Sequence, residues 1–474
     1  MTDDPVGKES ERIRLLEFQL DYLRAEMLHL THERYRLVYS VSGHIYRFLR
    51  PIEARIADFG AALAARFRGK PATENAAPVP PLVTEAACHG APSPARRLLV
   101  DVTGTIKRDA GTGIQRVVKE VVRALKGGGR FDLPAIAVRC ENGRLFTANA
   151  FSASLGGADT GPDVEVVIAP GDRFFMLSDS WNAFDELAPV FARIRAQGGE
   201  IVTCIFDLIP ALYPHACHEV TVPRYRDWLN RALLESDAFL AISHTVALEL
   251  ADFIEAHGLP HRPGLKIGWF ACGANIATPA QPSQPREKIR VAAAADARVF
   301  LMVGTIEPRK GHRVALAAFE ALWARGDVLR FIIVGRRGWY EEAVASEILS
   351  HPEFGRRLFW FDDVGDDELA WLYDHASALI LPSYAEGFGL PIAEAALRGR
   401  PVICSDIPVF REVGRDGALY FRVNDPLALA EAIGALRAGG RGADPSRVLC
   451  MSWEAAAQRI THVLAHEDWL RRLP

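Results

Sequence analysis

Residues 379–406 read LILPSYAEGFGLPIAEAALRGRPVICSD. An apolar run at 379–382 ends in a loop of small residues at 383–389, and a helical pattern over 390–398 follows with Pro391 in its first turn. Proline suits that position because the first helical N–H has no partner within the helix. The stretch therefore predicts a buried strand, a ligand-binding loop and a helix, which together are the repeating unit of a parallel α/β sheet.

The loop in this stretch predicts a site for anions or sugar hydroxyls. Gly387 and Gly389 flank Phe388 just ahead of the predicted helix, where several backbone N–H donors and the positive end of the helix dipole are available. Glu386 in the loop and Glu394 on the helix supply two carboxylates. Because carboxylates accept hydrogen bonds from hydroxyl groups, we expect this pair to hold a sugar and a ribose.

The same alternation of apolar runs and helical patterns extends over the chain from Leu98 onward. It pauses at residues 274–290, which carry three prolines, and then restarts. We therefore predict two parallel α/β domains of ~170 residues that face a cleft. The runs interpreted as strands are 98–102, 165–169, 173–177, 200–206 and 238–242 before the pause, and 298–304, 329–335, 357–361, 378–382 and 401–405 after it.

The first 96 residues have a different pattern. Apolar residues at steps of three and four over 10–41 predict a coiled coil, or alternatively one amphipathic helix lying on its own domain. Residues 43–70 form a second apolar stripe with six basic and two acidic residues, which fits contact with an anionic membrane surface or a helix docked on the coil. Residues 71–96 are rich in Pro and Ala and predict an extended linker.

Composition excludes several classes of protein. The 474 residues carry 55 Lys and Arg against 59 Asp and Glu, a net charge of -4, so a nucleic-acid partner is not expected. Neither an apolar run of ~18 residues nor an apolar signal segment occurs, so we expect a cytoplasmic protein. The seven cysteines are scattered without a CxxC pair, which predicts reduced thiols and no zinc site.

Several nucleotide and hydrolase motifs are missing. There is no GxxxxGK[ST], HExxH or GxSxG sequence, and the GxG at Gly111-Thr112-Gly113 lacks the third glycine of a dinucleotide site because Arg116 stands there. Dehydrogenase, P-loop ATPase, zinc-hydrolase and α/β-hydrolase interpretations therefore lose their main support.

Two segments carry a family resemblance. Residues 386–394, EGFGLPIAE, resemble the E-x7-E signature of the retaining glycosyltransferases of family 4, and residues 303–312, VGTIEPRKGH, resemble that family's GTxEPRKNH segment. The resemblance spans about residues 98–468 and is strongest to polysaccharide and O-antigen mannosyltransferases. It implies the α/β GT-B fold, in which two Rossmann-like domains face a cleft, here with an N-terminal α-helical or coiled-coil extension.

Weaker matches agree in order. Residues 362–369 resemble the segment near the donor base, with a helix cap expected at Asp366, and residues 111–116 resemble the acceptor-side glycine loop that lies against the donor phosphates. One departure stands out: many members carry a His-Asp pair where this chain has Phe206-Asp207. This departure keeps open a degenerate glycosyltransferase that acts as a scaffold in glycan assembly. A GT-B nucleotide-sugar epimerase is the other alternative, which the E-x7-E loop disfavours.

The resemblance implies a reaction and a set of residues. A hexose, with GDP-mannose as the guessed donor, would move with retention from a nucleotide diphosphate to a glycan or lipid-linked glycan. Neither a metal nor a cofactor is expected, because cationic side chains would stabilise the departing phosphate. The implied catalytic residues are Glu386, Lys310, Arg309 and Asp207. The implied donor-binding residues are Gly304, Thr305, Arg309, Lys310, Val364, Glu386, Gly387, Phe388, Gly389, Leu390 and Glu394, with Gly111, Thr112 and Gly113 as the phosphate loop.

The expected organisation combines these parts. A helical extension at 1–70 would provide self-association or a partner contact through 10–41 and a peripheral contact with the inner face of the membrane through 43–70. The remaining segments are a linker at 71–96, an acceptor domain at 97–280, a donor domain at 281–451 and a crossing helix at 452–474.

Overall fold

The computed structural model describes residues 96–109, 111–127, 129–156, 161–275, 284–294, 298–338, 342–438 and 443–474. The predicted helical segments at 10–41 and 43–70, and all but the last residue of the predicted linker, lie outside the described residues. Within the described part of the chain, no helix is both long and apolar enough to span a membrane. Both sheets belong to one compact unit formed by Pro94–Asp252 and Pro260–Pro474.

The fourteen strands of the described residues form two sheets, and they are numbered here in chain order. The first seven are β1 (Leu98–Asp101), β2 (Ala135–Glu141), β3 (Arg144–Thr147), β4 (Arg173–Met176), β5 (Glu200–Ile205), β6 (Ala238–Ala241) and β7 (Lys266–Trp269). The next six are β8 (Arg298–Val303), β9 (Leu329–Val334), β10 (Leu358–Phe361), β11 (Ala378–Leu381), β12 (Val402–Ser405) and β13 (Leu419–Phe421). A short last strand, β14 (Arg471–Arg472), returns to the first sheet.

The first domain is built on an eight-stranded sheet with the order β14-β7-β6-β5-β4-β1-β2-β3. Its interior strands are parallel, and antiparallel β3 and β14 close the two edges. The strand order reverses between β1 and β4, since the chain moves outward in both directions from this pair. A reversal of this kind opens a crevice at the carboxyl ends of the strands, where ligands of open α/β sheets bind.

The second domain is built on a six-stranded, all-parallel sheet with the order β10-β9-β8-β11-β12-β13. Counted within the domain this is the order 3-2-1-4-5-6, the doubly wound arrangement of nucleotide-binding folds. Its reversal falls between β8 and β11, so the segments that follow these two strands border the crevice. Those segments are residues 304–311, here named the lysine loop, and residues 382–389, here named the glutamate loop.

Helices connect the strands and cover the sheets. They are α1 (Thr103–Lys107), α2 (Gly113–Lys126), α3 (Asn149–Ser154), α4 (Phe184–Ala196), α5 (Ile209–Leu212), α6 (Thr221–Glu235), α7 (His244–His257), α8 (Glu287–Ala292), α9 (His312–Ala324), α10 (Glu342–Ser350), α11 (Asp366–His375), α12 (Leu390–Leu397), α13 (Pro408–Gly414), α14 (Pro426–Arg437) and α15 (Trp453–His466).

Continuous apolar runs place the central strands in the core, because a parallel sheet is covered by helices on both faces. All four residues of β1, β4, β6, β11 and β12 are buried. On one face of the second sheet Phe319 of α9 stacks on Phe331 of β9, with ring centroids 4.5 Å apart. Such an aromatic pair contributes ~1 kcal/mol beyond the burial of its area.

Two expectations drawn from the sequence are wrong in detail. Residues 165–169 do not form a strand: Val167 is 81% exposed, its carbonyl accepts a hydrogen bond from Arg97, and Ala169 N–H donates to Asp172. Only the start of this run pairs with a strand, since Glu165 forms a single antiparallel bridge with Phe146 of β3 and Val166 N–H donates to the carbonyl of Leu145. Side-chain contacts take up the backbone groups of the rest. The cap of α11 is Gly365, and Asp366 is the first helical residue, where its charge favours the helix dipole.

Candidate active site

The carboxylate of Glu386 is the centre of a charged cluster at the reversal point of the second sheet. Its Oε1 accepts hydrogen bonds from Lys310 Nζ at 2.6 Å and Ser383 Oγ at 2.9 Å, and its Oε2 accepts one from Arg309 Nη1 at 2.7 Å. Only 9% of the Glu386 side chain is exposed. The structure thus brings three of the four predicted catalytic residues into direct contact.

Opposite charges determine how this cluster titrates. Burial raises the pKa of Glu386, but the charges of Lys310 and Arg309 outweigh burial and hold the pKa at about 2. Burial lowers the pKa of Arg309, but the carboxylates of Glu386, Glu307 and Asp207 raise it by more. The pKa of Arg309 is therefore above its ordinary value. Both groups are therefore ionised at neutral pH, and the cluster holds two cations around one carboxylate.

Close backbone approach explains how the two loops meet. Gly311 has the left-handed φ of 73°, and a Cβ at this position would lie 2.3 Å from the carbonyl oxygen of Pro382. Glycine is therefore required for the lysine loop to pass against the glutamate loop. The Gly304 N–H donates to Val334, and the aliphatic stem of Lys310 passes beside Gly304, which directs Nζ across to Glu386.

The first domain contacts the glutamate loop through the end of β5. A Cβ on Gly387 would lie 2.1 Å from the carbonyl oxygen of Phe206 and 3.4 Å from Cβ of Asp207, so the two backbones touch. Ser243 Oγ, which follows β6, donates to the carbonyl of Gly387 at 2.8 Å. Asp207 is thus placed beside the cluster, and its own Oδ1 accepts a hydrogen bond from Ile209 N–H.

Glu394 is engaged by both domains. Its Oε1 lies 2.7 Å from Nη1 of Arg116 on α2, and its Oε2 accepts a hydrogen bond from Tyr373 at 2.9 Å. Only 3% of the Glu394 side chain is exposed, and burial raises its pKa although Arg116 and Tyr373 oppose this rise. The second carboxylate of the E-x7-E pair is therefore separate from the Glu386 cluster.

The predicted phosphate loop begins helix α2. Thr112 is the N-cap of α2, and its N–H donates to the side chain of Gln115, three residues on. Gly111 has a φ of 61°, and a Cβ there would lie 3.6 Å from the guanidinium of Arg336, which follows β9 in the second domain. The exposed loop 111–113 therefore faces the carboxyl edge of the second sheet.

The remaining predicted donor residues divide by burial. Phe388 is 3% exposed and packs in the core, so only its backbone can contact a ligand. Leu390, the first residue of α12, and Val364 are partly buried against the same core. Thr305 is partly exposed in the lysine loop.

Sequence reasoning missed three charged residues at this site. Arg116 ends the match to the glycine loop and stands where a third glycine would be, but neither observation predicts its contact with Glu394, although its spacing from Gly113 places it on the first turn of α2. Glu412 of α13 accepts hydrogen bonds from the N–H groups of His244 and Thr245 at 2.9 and 2.8 Å, so it caps α7 from the other domain. No sequence signal links residues this far apart.

The third missed residue is Glu249, on the second turn of α7. Burial raises the pKa of its carboxyl to about 7, and the nearby charge of Asp207 adds to the shift. Burial also raises the pKa of Asp207, although Arg309 opposes the rise. Two carboxyls of the first domain therefore titrate at unusually high pH beside a cluster that remains charged.

The strand order and the loops at its reversal point define the class of the second domain. A 3-2-1-4-5-6 parallel sheet with cations and glycines at its reversal point is a nucleotide-binding α/β domain. Residues 283–440 match the family described as glycosyl transferases group 1. The second domain is therefore similar to glycosyl transferases group 1 domains.

Curated relatives extend the similarity into the first domain. The serotype-specific mannosyltransferase WbdA of Escherichia coli is 33% identical over 343 residues, which cover 71% of this chain and 42% of the relative. The O-antigen chain mannosyltransferase B of Escherichia coli is 37% identical over 138 residues, 28% of this chain and 35% of the relative. The chain thus spans about two fifths or less of the length of these relatives.

A solved structure supports the fold. HepE of Anabaena, crystallised in complex with UDP and glucose, superposes with a TM-score of 0.50 at 15% identity and covers 78% of this chain and 97% of its own. This similarity, with the two parallel sheets, confirms the predicted GT-B fold of the described residues. The predicted N-terminal extension lies outside them.

Proposed function

We propose that the chain is a glycosyltransferase that moves a sugar from a nucleotide-diphosphate donor to a glycan or lipid-linked glycan in polysaccharide biosynthesis. The observation that carries the proposal is the Glu386–Lys310–Arg309 cluster at the reversal point of a group 1 glycosyltransferase domain. The mannosyltransferase relatives favour mannose as the sugar and GDP-mannose as the donor.

The chemical role of the cluster follows from charge. When the bond between the sugar and the diphosphate breaks, negative charge develops on the departing phosphate oxygen. Lys310 Nζ and the Arg309 guanidinium are fixed cations in a largely buried position, where such stabilisation is stronger than in water. Glu386 orients both cations and accepts hydrogen bonds from the sugar hydroxyls. The backbone N–H groups at 387–389 donate hydrogen bonds to the same hydroxyls.

The other proposed contacts surround this centre. Glu394 would hold the ribose, with Gly304, Thr305, Leu390 and Val364 along the nucleotide. Loop 111–113 would lie against the diphosphate from the first domain, beside Arg336. Asp207 would orient the sugar or the acceptor from the first domain. Transfer with retention of configuration is part of the proposal because the resemblance to family 4 glycosyltransferases implies it.

The test is a donor screen followed by transfer. Thermal-shift measurements with a panel of nucleotide sugars identify the donor, and mass spectrometry of a reaction with mannan-type oligosaccharides identifies the product. Lys310→Ala and Glu386→Ala should each lower the transfer rate at least ~100-fold, the scale of losing one transition-state donor. Lys288→Ala is the control, because Lys288 is an exposed cation of the same domain that pairs with Asp363.

Two outcomes would overturn the proposal. Transfer at the wild-type rate in Lys310→Ala or Glu386→Ala would remove these residues from the site. Donor binding without turnover of any nucleotide sugar, together with binding of glycan-assembly proteins to residues 1–70, would instead establish the scaffold alternative that Phe206 raised.

A further inference from the structure

Two histidines and one aspartate meet at the surface of the first domain, away from the cluster described above. His462 and His466 lie four residues apart on α15, and Asp132 lies in the segment between α2 and β2. Asp132 Oδ2 is 3.1 Å from His462 Nδ1 and 3.2 Å from His466 Nε2. Residues four apart share one face of a helix, which explains why both rings reach the same carboxylate.

The geometry points to a binding site for a divalent transition-metal ion, with zinc as the preferred ion, held by Asp132, His462 and His466. One ligand atom from each residue lies within 4.8 Å of the other two. In a tetrahedral zinc site with bonds of ~2.0–2.1 Å, ligand atoms are ~3.3 Å apart. The two Asp132–His distances already match this separation, so only the two ring nitrogens need to approach each other by a small side-chain rotation.

The donor set determines the metal. Two imidazoles and one carboxylate suit zinc and related transition ions, whereas magnesium and calcium prefer oxygen ligands alone. A cleft of about 340 Å³, lined in part by Asp132, His462 and Arg130, borders the site and leaves room for water as a fourth ligand. Arg459, also at this cleft, pairs with Asp468, which balances its charge.

This site would join two distant parts of the chain. Helix α15 follows the second domain but packs against α2 and β7 of the first domain. A Cβ on Gly129 would lie 2.9 Å from Glu454 of α15, so the segment that carries Asp132 already contacts this helix. A bound ion would fix α15 to the first domain. The expectation of no zinc site rested on cysteine spacing, which does not address imidazole ligands.

The test measures zinc binding to the full chain purified without a polyhistidine tag. We use a Cys450→Ser background, because Cys450 is an exposed thiol that could bind zinc by itself. Calorimetry should show one zinc ion per chain, and zinc but not magnesium should raise the unfolding temperature. Asp132→Asn, His462→Ala and His466→Ala should each weaken zinc binding at least ~10-fold, since even residues that only orient a ligand cost this much.

The control is His375→Ala, which removes an exposed histidine from helix α11 of the second domain. It should leave zinc affinity unchanged. The measured quantity is the rise in unfolding temperature caused by zinc, because loss of the His–Asp hydrogen bonds alone lowers the starting temperature. Equal zinc affinity in the wild type and in His462→Ala and His466→Ala, or no saturable zinc binding in the wild type, would overturn the proposal.

Discussion

The Arg116 guanidinium on α2 lies 2.7 Å from the Glu394 carboxylate on α12, and this ion pair joins the two domains. Arg116 also donates to the carbonyl of Asn275 at 2.7 Å. Because Glu394 is almost fully buried, it needs this cation to remain ionised at low cost.

Removing Arg116 should therefore destabilise the protein through Glu394. We expect Arg116→Ala to lower the free energy of unfolding by roughly 2 kcal/mol, because it leaves a buried carboxylate with Tyr373 as its remaining partner. In a Glu394→Gln background the same change should cost clearly less. Urea denaturation of the four proteins in this cycle measures the difference, and an equal cost in both backgrounds would contradict the pairing.

Gly387→Ala should separate the domains at the glutamate loop. The new Cβ would lie 2.1 Å from the carbonyl oxygen of Phe206, so the backbones must move apart, at a cost of ~1–3 kcal/mol. Donor affinity should fall at the same time, which calorimetry with the identified donor measures.

Gly434→Ala is the matched control, since Gly434 lies inside helix α14 and nothing lies within 4 Å of its new Cβ. That variant should be neutral or up to ~1 kcal/mol more stable. If the two variants show the same change in the free energy of unfolding, the contact between Gly387 and Phe206 does not contribute to stability.

Glu412→Ala should loosen the start of helix α7. The carboxylate accepts hydrogen bonds from two first-turn N–H groups and from the Thr245 hydroxyl, so its loss should cost ~1–2 kcal/mol, as for other helix caps. Hydrogen exchange at residues 244–247 should accelerate. Glu431→Ala, an exposed position on α14, should leave that exchange unchanged.

Glu249 should make stability depend on pH near neutrality. Its pKa in the folded protein, about 7, is above the ordinary value of 4.5, so its stabilising contribution is complete below pH 4.5 and is lost as pH rises through 7. The glutamine in Glu249→Gln cannot ionise. The unfolding temperature of this variant, measured relative to that of the wild type, should therefore rise between about pH 5 and about pH 8.5. A constant difference over this range would show that Glu249 is solvated.

Sequence reasoning predicted the parts of the fold that local patterns determine. Apolar runs located the central strands, and the glycines and prolines of 379–406 located the glutamate loop and α12. The run at 165–169 shows the limit of such patterns, because apolar residues do not reveal how far the backbone can pair: Glu165 bridges β3, but side chains bond the backbone of Val167 and Ala169. Strand β14 has only two residues and carries no periodic signal.

The charged cluster was predictable because a sequence motif marks each loop that supplies it. Glu386, Lys310 and Arg309 come from two recognisable loops, and the sheet brings these loops into contact. Arg116, Glu412 and Ser243 act on groups of the other domain, and such contacts depend on how the domains pack. That packing is a long-range property with no local signature in one sequence.

Strand β14 pairs antiparallel with β7, and the entire second sheet lies between them in the chain. During synthesis the ribosome must therefore complete the six strands of the second domain before the first sheet can gain its last edge strand. The nascent chain passes through a stage in which β7 presents unpaired N–H and C=O groups, which invite pairing with other chains. A chain truncated before α15 would lack β14 and would remain at this stage. The C-terminal segment that carries β14 is therefore expected to protect the first sheet from aggregation.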